Sequence, residues 1–494
     1  MTKRPEFQSF WFQQAMDQDV NYVNKVPPQI LTADTTADVC VVGGGYTGLW
    51  TAIQLKQQQP TLDIIIIEKN RCGSGASGRN GGCMLTWSTK YLSMQCLYGE
   101  DQAVELVKAS ERAVDEIEAF CIQHHIDAEL RRDGTLFTTT NTAQQGGLAA
   151  TLAALDTHQI NSWQAWQAKK VQLHAGSELH QSGHFSPVAA SVQPAKLARG
   201  LKRVAEELGV RIYENTPMLA INDTGVSSTC ASGSSASGTA TAKIGKHKVV
   251  IKTSQGTIYA SKSVMALNAW MLEQFPQFKD KIVVVSSDMA ITEPIPEKLT
   301  AMGLTDGKTI LDSRTFVHYY RTTPDGRLML GKGGNHFSYA NVVRPLFDKP
   351  TRYGKLLRQS FNKLFPTLVD EPFAVTWTGP SDRSATGLPF FGKIAPSGNI
   401  YYGFGYSGSG VAQTWIGGKI LASMLLDKND KWSNNGLTTG PKGSFPPEPL
   451  RWLGAMLVRN AIRRKETCED SEQRPFWWDK QLAKFANAAG KADK

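Results

Sequence analysis

The chain reads as an α/β protein of two interleaved parts, and three observations carry that reading. A short β-branched run, ADVCVV at 37–42, leads at once into GGGYTG, then into LWTAIQLKQQ with helical apolar spacing, then into the strand-like DIIIIEK. The same theme of strand, glycine turn and helix returns at 399–426, NIYYGFGYSGSGVAQTWIGGKILASMLL. Between them, residues 281–335 are dominated by strand patterns (KIVVVSSDMAIT, TILDSRTFVHYYRT, RLMLGKGG). The first unit is the opening βαβ of a Rossmann-like, three-layer dinucleotide fold; the middle block predicts a second, α+β part on a mixed sheet.

The remaining elements follow in order. Residues 1–36 form a polar lead-in that Trp11 and Phe12 anchor to the body. A long amphipathic helix is expected over 99–125, and helical or mixed structure over 143–158 and 165–173. Residues 194–208 read as a helix with Pro194 in its first turn and Gly209 at its end. The strand VRIYE comes next, and then a Ser/Thr/Gly/Ala-rich loop at 224–242. KVVIKTSQGTIYASKSVMAL has the pattern of a hairpin leading into a buried strand, and Pro324-Asp325-Gly326 that of a turn. Residues 351–364 are expected to be helical, and the last fifty residues carry a basic helix, PLRWLGAMLVRNAIRRKE, whose apolar stripe packs on the body.

Composition bounds the function. With 494 residues, 41% apolar, 20% charged and 44 glycines, the chain is long enough for two or three domains and is not of disordered type. No apolar run approaches the length of a membrane span, and the N-terminus lacks a secretory pattern, so a soluble cytoplasmic protein is expected. Seven cysteines (Cys40, Cys72, Cys83, Cys96, Cys121, Cys230, Cys468), odd in number and without a CxxC pair, argue against a disulfide framework and a zinc site. The net charge of +10 is mild for this length and does not point to nucleic acid, and no metal cluster is evident.

The chemistry begins at Gly43-x-Gly45-x-x-Gly48. The first glycine makes the tight turn, the second admits a pyrophosphate to the backbone, and the third lets helix and strand pack closely. The helix N-terminus, with Tyr46 and Thr47, then offers free N–H groups to the anion. Glu68, twenty residues after Gly48 at the end of the second strand, stands where a carboxylate meets the adenosine ribose. It disfavours a 2′-phosphate by repulsion but does not separate NAD from FAD. A second glycine-rich segment at 72–82, CGSGASGRNGG, can bring backbone N–H groups against both a pyrophosphate and a flavin.

Four blocks, ADVCVVGGGYTGLWTAIQL, EKNRCGSGASGRNGG, HYYRTTPDGRLMLGKGG, and TGLPFFGKI followed by NIYYGFGYSGSGV, span about residues 37 to 426. In them the chain resembles the glycine oxidase / D-amino-acid oxidase (DAO) superfamily of FAD-dependent amine oxidoreductases, with most likeness to the γ-glutamylputrescine oxidase-type branch. The resemblance implies that Gly43, Gly45 and Gly48 hold the FAD pyrophosphate and that Glu68 and Lys69 border the ribose. It places Ala76, Ser77, Gly78, Arg79, Asn80, Gly81 and Gly82 along the path to the flavin, and Met218 at the adenine. The late turn, Gly405, Tyr406, Ser407, Gly408, Ser409, Gly410 and Val411, would face the flavin edge, where a helix N-terminus favours negative charge. Relatives that bind FAD covalently use a late Cys or an early His. With no Cys between Gly398 and Lys428 and no His between Arg71 and Tyr91, noncovalent FAD is expected.

The resemblance also implies oxidation of a C–N bond in a small primary or secondary amine or amino acid, an aminophosphonate among the candidates. A hydride passes to the flavin and the imine then hydrolyses to a carbonyl. Oxygen or an electron carrier would accept the electrons. For the substrate side the candidates are Tyr319 and Arg321, which alternate on one strand to the same face, with His318 and Tyr320 opposite. Arg321 is read as a possible carboxylate clamp, or as a structural ion pair. Lys332 is a candidate for assisting oxygen, or a solvated strand-end lysine; Trp377 and Arg383 are further candidates. The expected division assigns 37–98, 191–275 and 376–430 to the FAD part and 99–190 and 276–375 to the substrate part. Residues 431–494 form a basic C-terminal extension. A 2-hydroxy-acid dehydrogenase and a flavin-bearing, partner-dependent subunit are the competing readings.

Overall fold

A computed structural model describes residues 8–19, 27–224, 247–486 and 493; the Ser/Thr/Gly/Ala-rich stretch lies, beyond its first residue, outside them. Two eight-stranded sheets organise the chain. In the first, Ile400–Phe404, Thr257–Met265, Thr35–Val42, Ile64–Ile67 and Arg211–Tyr213 run parallel in that order, with Phe390–Lys393 antiparallel at one edge. The expected hairpin forms between Val249–Lys252 and the start of Thr257–Met265, a strand that pairs parallel with Thr35–Val42 from Ile258 to Met265. The second sheet has the order Phe373–Ser384, Ile282–Thr292, Leu328–Phe337, His318–Thr322, Thr309–Asp312, Thr135–Thr139, Ser182–Ser186, Gln164–Trp166. It is mixed, with Thr309–Asp312 parallel to Thr135–Thr139 and its other pairings antiparallel.

Two expected boundaries differ in the structure. The division at 375/376 falls inside Phe373–Ser384, which pairs with Ile282–Thr292 along nearly its whole length, so the second sheet continues to Ser384. The helix Glu100–Gln123, assigned to the substrate part, packs instead on the first sheet's helices. Its apolar face buries against the Tyr91–Tyr98 helix and, with the Tyr46–Gln58 and Gly410–Leu425 helices, closes an aromatic cluster: Trp50 lies 4.5 Å from Trp415 and 4.9 Å from Phe120, ring centre to ring centre. Those last two helices approach closely because glycine faces backbone. A Cβ on Gly418 would stand 2.8 Å from the Trp50 Cβ and 3.0 Å from the Trp50 carbonyl carbon, whereas Gly48 lets the first helix settle on its own turn, a Cβ there standing 2.0 Å from the Gly43 carbonyl oxygen.

The lead-in is anchored as expected. Ser9 caps the helix Phe10–Gln18, its hydroxyl accepting from Phe12 N and donating to the Gly78 carbonyl at 2.6 Å. Trp11 and Phe12 are fully buried. No helix among the described residues is long and apolar enough to cross a membrane, and no group of three His, Cys, Asp or Glu among them could hold a metal. Because Trp50 fills the junction of three helices, Trp50→Ala should cost about 3–5 kcal/mol by leaving a cavity there, read as a lowered midpoint in thermal or urea unfolding.

Candidate active site

One cavity of about 1010 Å3 runs from the C-terminal ends of the first sheet's strands to the face of the second. This is where an open parallel sheet leaves a crevice. Two helices begin on it. Gly45, Tyr46 and Thr47 line it at the start of Tyr46–Gln58, and Gly410, Val411 and Thr414 at the start of Gly410–Leu425. Neither helix is closed by its own N-cap side chain, so the positive ends of two helix dipoles converge there. The turns are tied to each other and to the second glycine segment: Thr47 Oγ1 donates to Tyr406 Oη at 3.1 Å, and Ser77 Oγ accepts from Tyr46 N at 2.9 Å.

The early fingerprint takes the shape its spacing implies. Gly43 has φ +113°, and a Cβ there would stand 2.4 Å from the Ala266 carbonyl oxygen. Glu68 lines the cavity and accepts from Gly44 N at 2.8 Å and Asn70 N at 3.0 Å, while burial raises its carboxyl above the usual range. Lys69 and Met218 line the same end. Of the second glycine segment, Ala76, Ser77, Arg79, Asn80 and Gly81 line the cavity. Asn80 holds the loop shut by donating to the Ser77 carbonyl and accepting from Gly82 N, both at 2.8 Å. Arg79 donates to the Ser74 and Phe347 carbonyls and pairs with Asp348 at 2.9 Å, riveting this loop to the second part.

Several expected contacts are corrected. Gly48, Gly78 and Gly82 do not line the cavity: a Cβ on each would meet a backbone carbonyl oxygen within 2.3 Å, of Gly43, Gly73 and Val192 respectively, so they serve close packing. In the late turn Tyr406, Gly408, Gly410 and Val411 line the cavity, whereas Gly405, Ser407 and Ser409 do not. Ser407 instead accepts from Ser384 N, and Gly405 N donates to the Asp382 carboxylate.

Of the substrate-side candidates, Tyr319 and Arg383 line the cavity, and Arg321, Lys332 and Trp377 do not. The Tyr319 ring lies over two glycines; a Cβ on Gly331 or Gly81 would come within 2.5 Å of it. Its hydroxyl shares a 2.7 Å hydrogen bond with Ser287, which also faces the cavity, and burial raises its pKa. Arg321 shares that face but lies beyond the cavity wall, under Trp11. Its guanidinium is spent on the carbonyls of Gly81, Val192 and Thr322, and burial lowers its pKa to about 10. Lys332 projects from the opposite face of its strand, donating to the Phe316 carbonyl and lying 2.9 Å from His318 Nε2; burial lowers its pKa. There His318 Nδ1 meets Asp312 at 2.7 Å. Trp377 is fully buried, stacked on Phe10 and edge-on to Trp11, and donates its indole N–H to the Arg79 carbonyl at 2.9 Å. It is a support for the loop rather than a cavity wall.

Arg383 takes the place expected of Arg321. It lines the cavity with its guanidinium beside Gly333 and Gly408: a Cβ on either would be 3.6 or 3.3 Å from Nη2. Burial lowers its pKa to about 10, with Tyr319 and Asp382 opposing. Its neighbour Asp382 was missed. That carboxylate lines the cavity at the foot of the late turn, and burial pushes it up to about 6 against backbone hydrogen bonds from Gly405, Tyr406 and Ser407. The only signal available in the sequence was its place beside Arg383 in the PSDR run.

The donor set fits a bound dinucleotide. One end offers an acidic side chain, the middle offers two helix N-termini and glycine backbone, and the far end offers a guanidinium and two hydroxyls. Ser381 Oγ, buried in the wall, has no hydrogen-bond partner among the described residues. Cys83 is the one cysteine on the cavity wall among the described residues.

Comparison with known proteins agrees. The chain is 27% identical over 446 residues to gamma-glutamylputrescine oxidoreductase of Escherichia coli, spanning 87% of this chain and 94% of that one. It is 26% identical over 413 residues to a probable oxidoreductase, OrdL, of Haemophilus influenzae, covering 82% and 86%. Glycine oxidase from Geobacillus kaustophilus superposes with a TM-score of 0.63 at 19% identity, over 80% of this chain and 96% of that one, which shows the shared fold. The family model described as DAO, FAD dependent oxidoreductase, matches residues 38–424. With that match over most of its length, the chain belongs to the DAO family of FAD-dependent oxidoreductases.

Proposed function

We propose that this enzyme oxidises the C–N bond of a small amine or amino acid that carries an anionic group, with noncovalently bound FAD. The observation that carries the reading is Arg383, a buried guanidinium on the cavity wall beside the Tyr319–Ser287 hydroxyl pair. FAD supplies the two-electron chemistry when bound. Gly43, Gly45, Ser77, Glu68, Met218 and the late turn are the residues that would hold it. The two helix N-termini stabilise negative charge in the cavity, and Asn80 and Arg79 keep the second glycine loop in place.

The chain's own groups handle charge and protons on the substrate side. A carboxylate or phosphonate binds Arg383 by charge-assisted hydrogen bonds. The same positive charge disfavours an ammonium nearby, so the amine binds in its neutral form. Tyr319 stays protonated because burial raises its pKa, and it serves as a neutral hydrogen-bond donor that orients the substrate. A 2-hydroxy acid would satisfy Arg383 equally well, and ammonia or amine release on turnover separates the two.

Anaerobic mixing of the holoenzyme with amines, amino acids, aminophosphonates and 2-hydroxy acids tests the reading through flavin absorbance. Bleaching by an anionic amine, with ammonia or a smaller amine released, is expected. Bleaching by hydroxy acids alone would replace it, and bleaching by none would leave a partner-dependent flavoprotein. Arg383→Leu should raise KM about 10- to 100-fold, the worth of a charge-assisted hydrogen bond, with a smaller change in kcat. Acid precipitation should release all flavin to the supernatant; flavin retained in the pellet and lost in Cys83→Ala would show a covalent link instead.

Asp382 gives a pH signature. Its folded-state pKa is raised from 3.8 to about 6, so its contribution to stability is full below the unfolded value and is lost as pH rises through the folded one. Between pH 4 and 7 the wild-type apoprotein should lose about 2 kcal/mol from this group. Asp382→Asn should lack that component, as shown by denaturation at several pH values.

A further inference from the structure

Two C-terminal helices, Leu450–Asp470 and Trp477–Lys484, lie across the mouth of the cavity. Part of their surface packs down: Ile462 and Ala486 are buried with Phe316, and Arg464 pairs with the buried Asp479 at 2.6 Å. The rest turns outward and gathers seven exposed aromatic and leucine side chains. Phe476, Trp477, Trp478 and Phe485 are 67, 69, 65 and 79% exposed. Leu450, Leu453 and Leu457, spaced to share one helical face, are 63, 48 and 60% exposed. Leu457 and Phe485 belong both to this surface and to the cavity wall, so the apolar face is continuous with the entrance.

The polar residues around it are mainly cationic. Arg474, Lys480 and Lys484 are exposed and have no ion-pair partner among the described residues. The acidic side chains on residues 471–486 are Glu472, exposed, and Asp479, buried under Arg464. Two adjacent tryptophans with lysines on the flanks have the chemistry of a lipid–water interface, where indole sits at headgroup depth and the ammonium groups meet lipid phosphate. A protein partner would need complementary acidic side chains as well as an apolar face; an anionic lipid surface supplies both at once.

We infer that these helices dock the enzyme on the surface of an anionic lipid bilayer, lying on it rather than crossing it, with the cavity mouth held at the headgroup level. This inference does not depend on the substrate reading above. It is tested with the FAD-loaded full chain by co-sedimentation with phosphatidylcholine vesicles, with and without phosphatidylglycerol as a third of the lipid. Binding to the anionic vesicles, weakened by added salt, is expected. Lys480→Glu with Lys484→Glu should weaken it about thirty-fold, each lysine near such a surface being worth roughly five-fold. Trp477→Ser with Trp478→Ser should abolish it while flavin content and melting temperature stay at wild-type values.

Failure of the wild-type chain to bind anionic vesicles would overturn the inference, as would binding that both double variants retain. A vesicle-free dimer in sedimentation velocity that the double tryptophan variant dissociates would assign the face to a second copy of the chain instead.

Discussion

Everything at the site depends on two helix N-termini being held at one cavity. That requires the Tyr46–Gln58 and Gly410–Leu425 helices, far apart in sequence, to pack closer than ordinary side chains allow. Gly418 against Trp50 permits the approach, and Gly48 against the Gly43 carbonyl seats the first helix on its own turn. The cluster of Trp50, Trp415 and Phe120 then fills the space above it. The hydrogen bond between Thr47 and Tyr406 joins the two turns at the cavity itself. Without this interlock the two dipoles would diverge, and the glycine backbone would have no common ligand to meet.

The second sheet supplies what the first cannot, a wall of side chains that alternate in direction. Along His318–Thr322, Tyr319 faces the cavity while His318 and Tyr320 enter a polar and aromatic layer behind it. Along Leu328–Phe337, Gly333 faces the cavity beside Arg383, while Lys332 joins His318 on the reverse. Arg79 binds the two parts together, since its guanidinium is shared among Ser74, Phe347 and Asp348. The N-terminal helix completes the assembly from below, with Ser9 on Gly78 and Trp11 over Arg321.

Closure at the open end comes from the C-terminal helices, whose position gives the molecule a polarity. One cavity is lined both by the two helix N-termini and by residues of these C-terminal helices. Exposed aromatic and cationic residues sit together at its mouth.

Much of this was legible in the sequence because it is local. A glycine spacing between a β-branched run and an amphipathic run specifies a turn and a helix N-terminus whatever surrounds it, and an acidic residue at the end of the next strand follows from the same unit. Side-chain alternation correctly put Tyr319 and Arg321 on one face. What the sequence could not say is how far along that face the cavity extends. Arg321 lies past its edge and is consumed by carbonyls, whereas Arg383, from a strand nearly sixty residues later, reaches into it. Trp377, Lys332 and Asp382 likewise have ordinary local patterns; only the pairing of Ile282–Thr292 with strands on both sides decides which of them meets the cavity. Backbone conformation is set within a few residues of chain, but a side chain's role is set by what long-range packing brings against it.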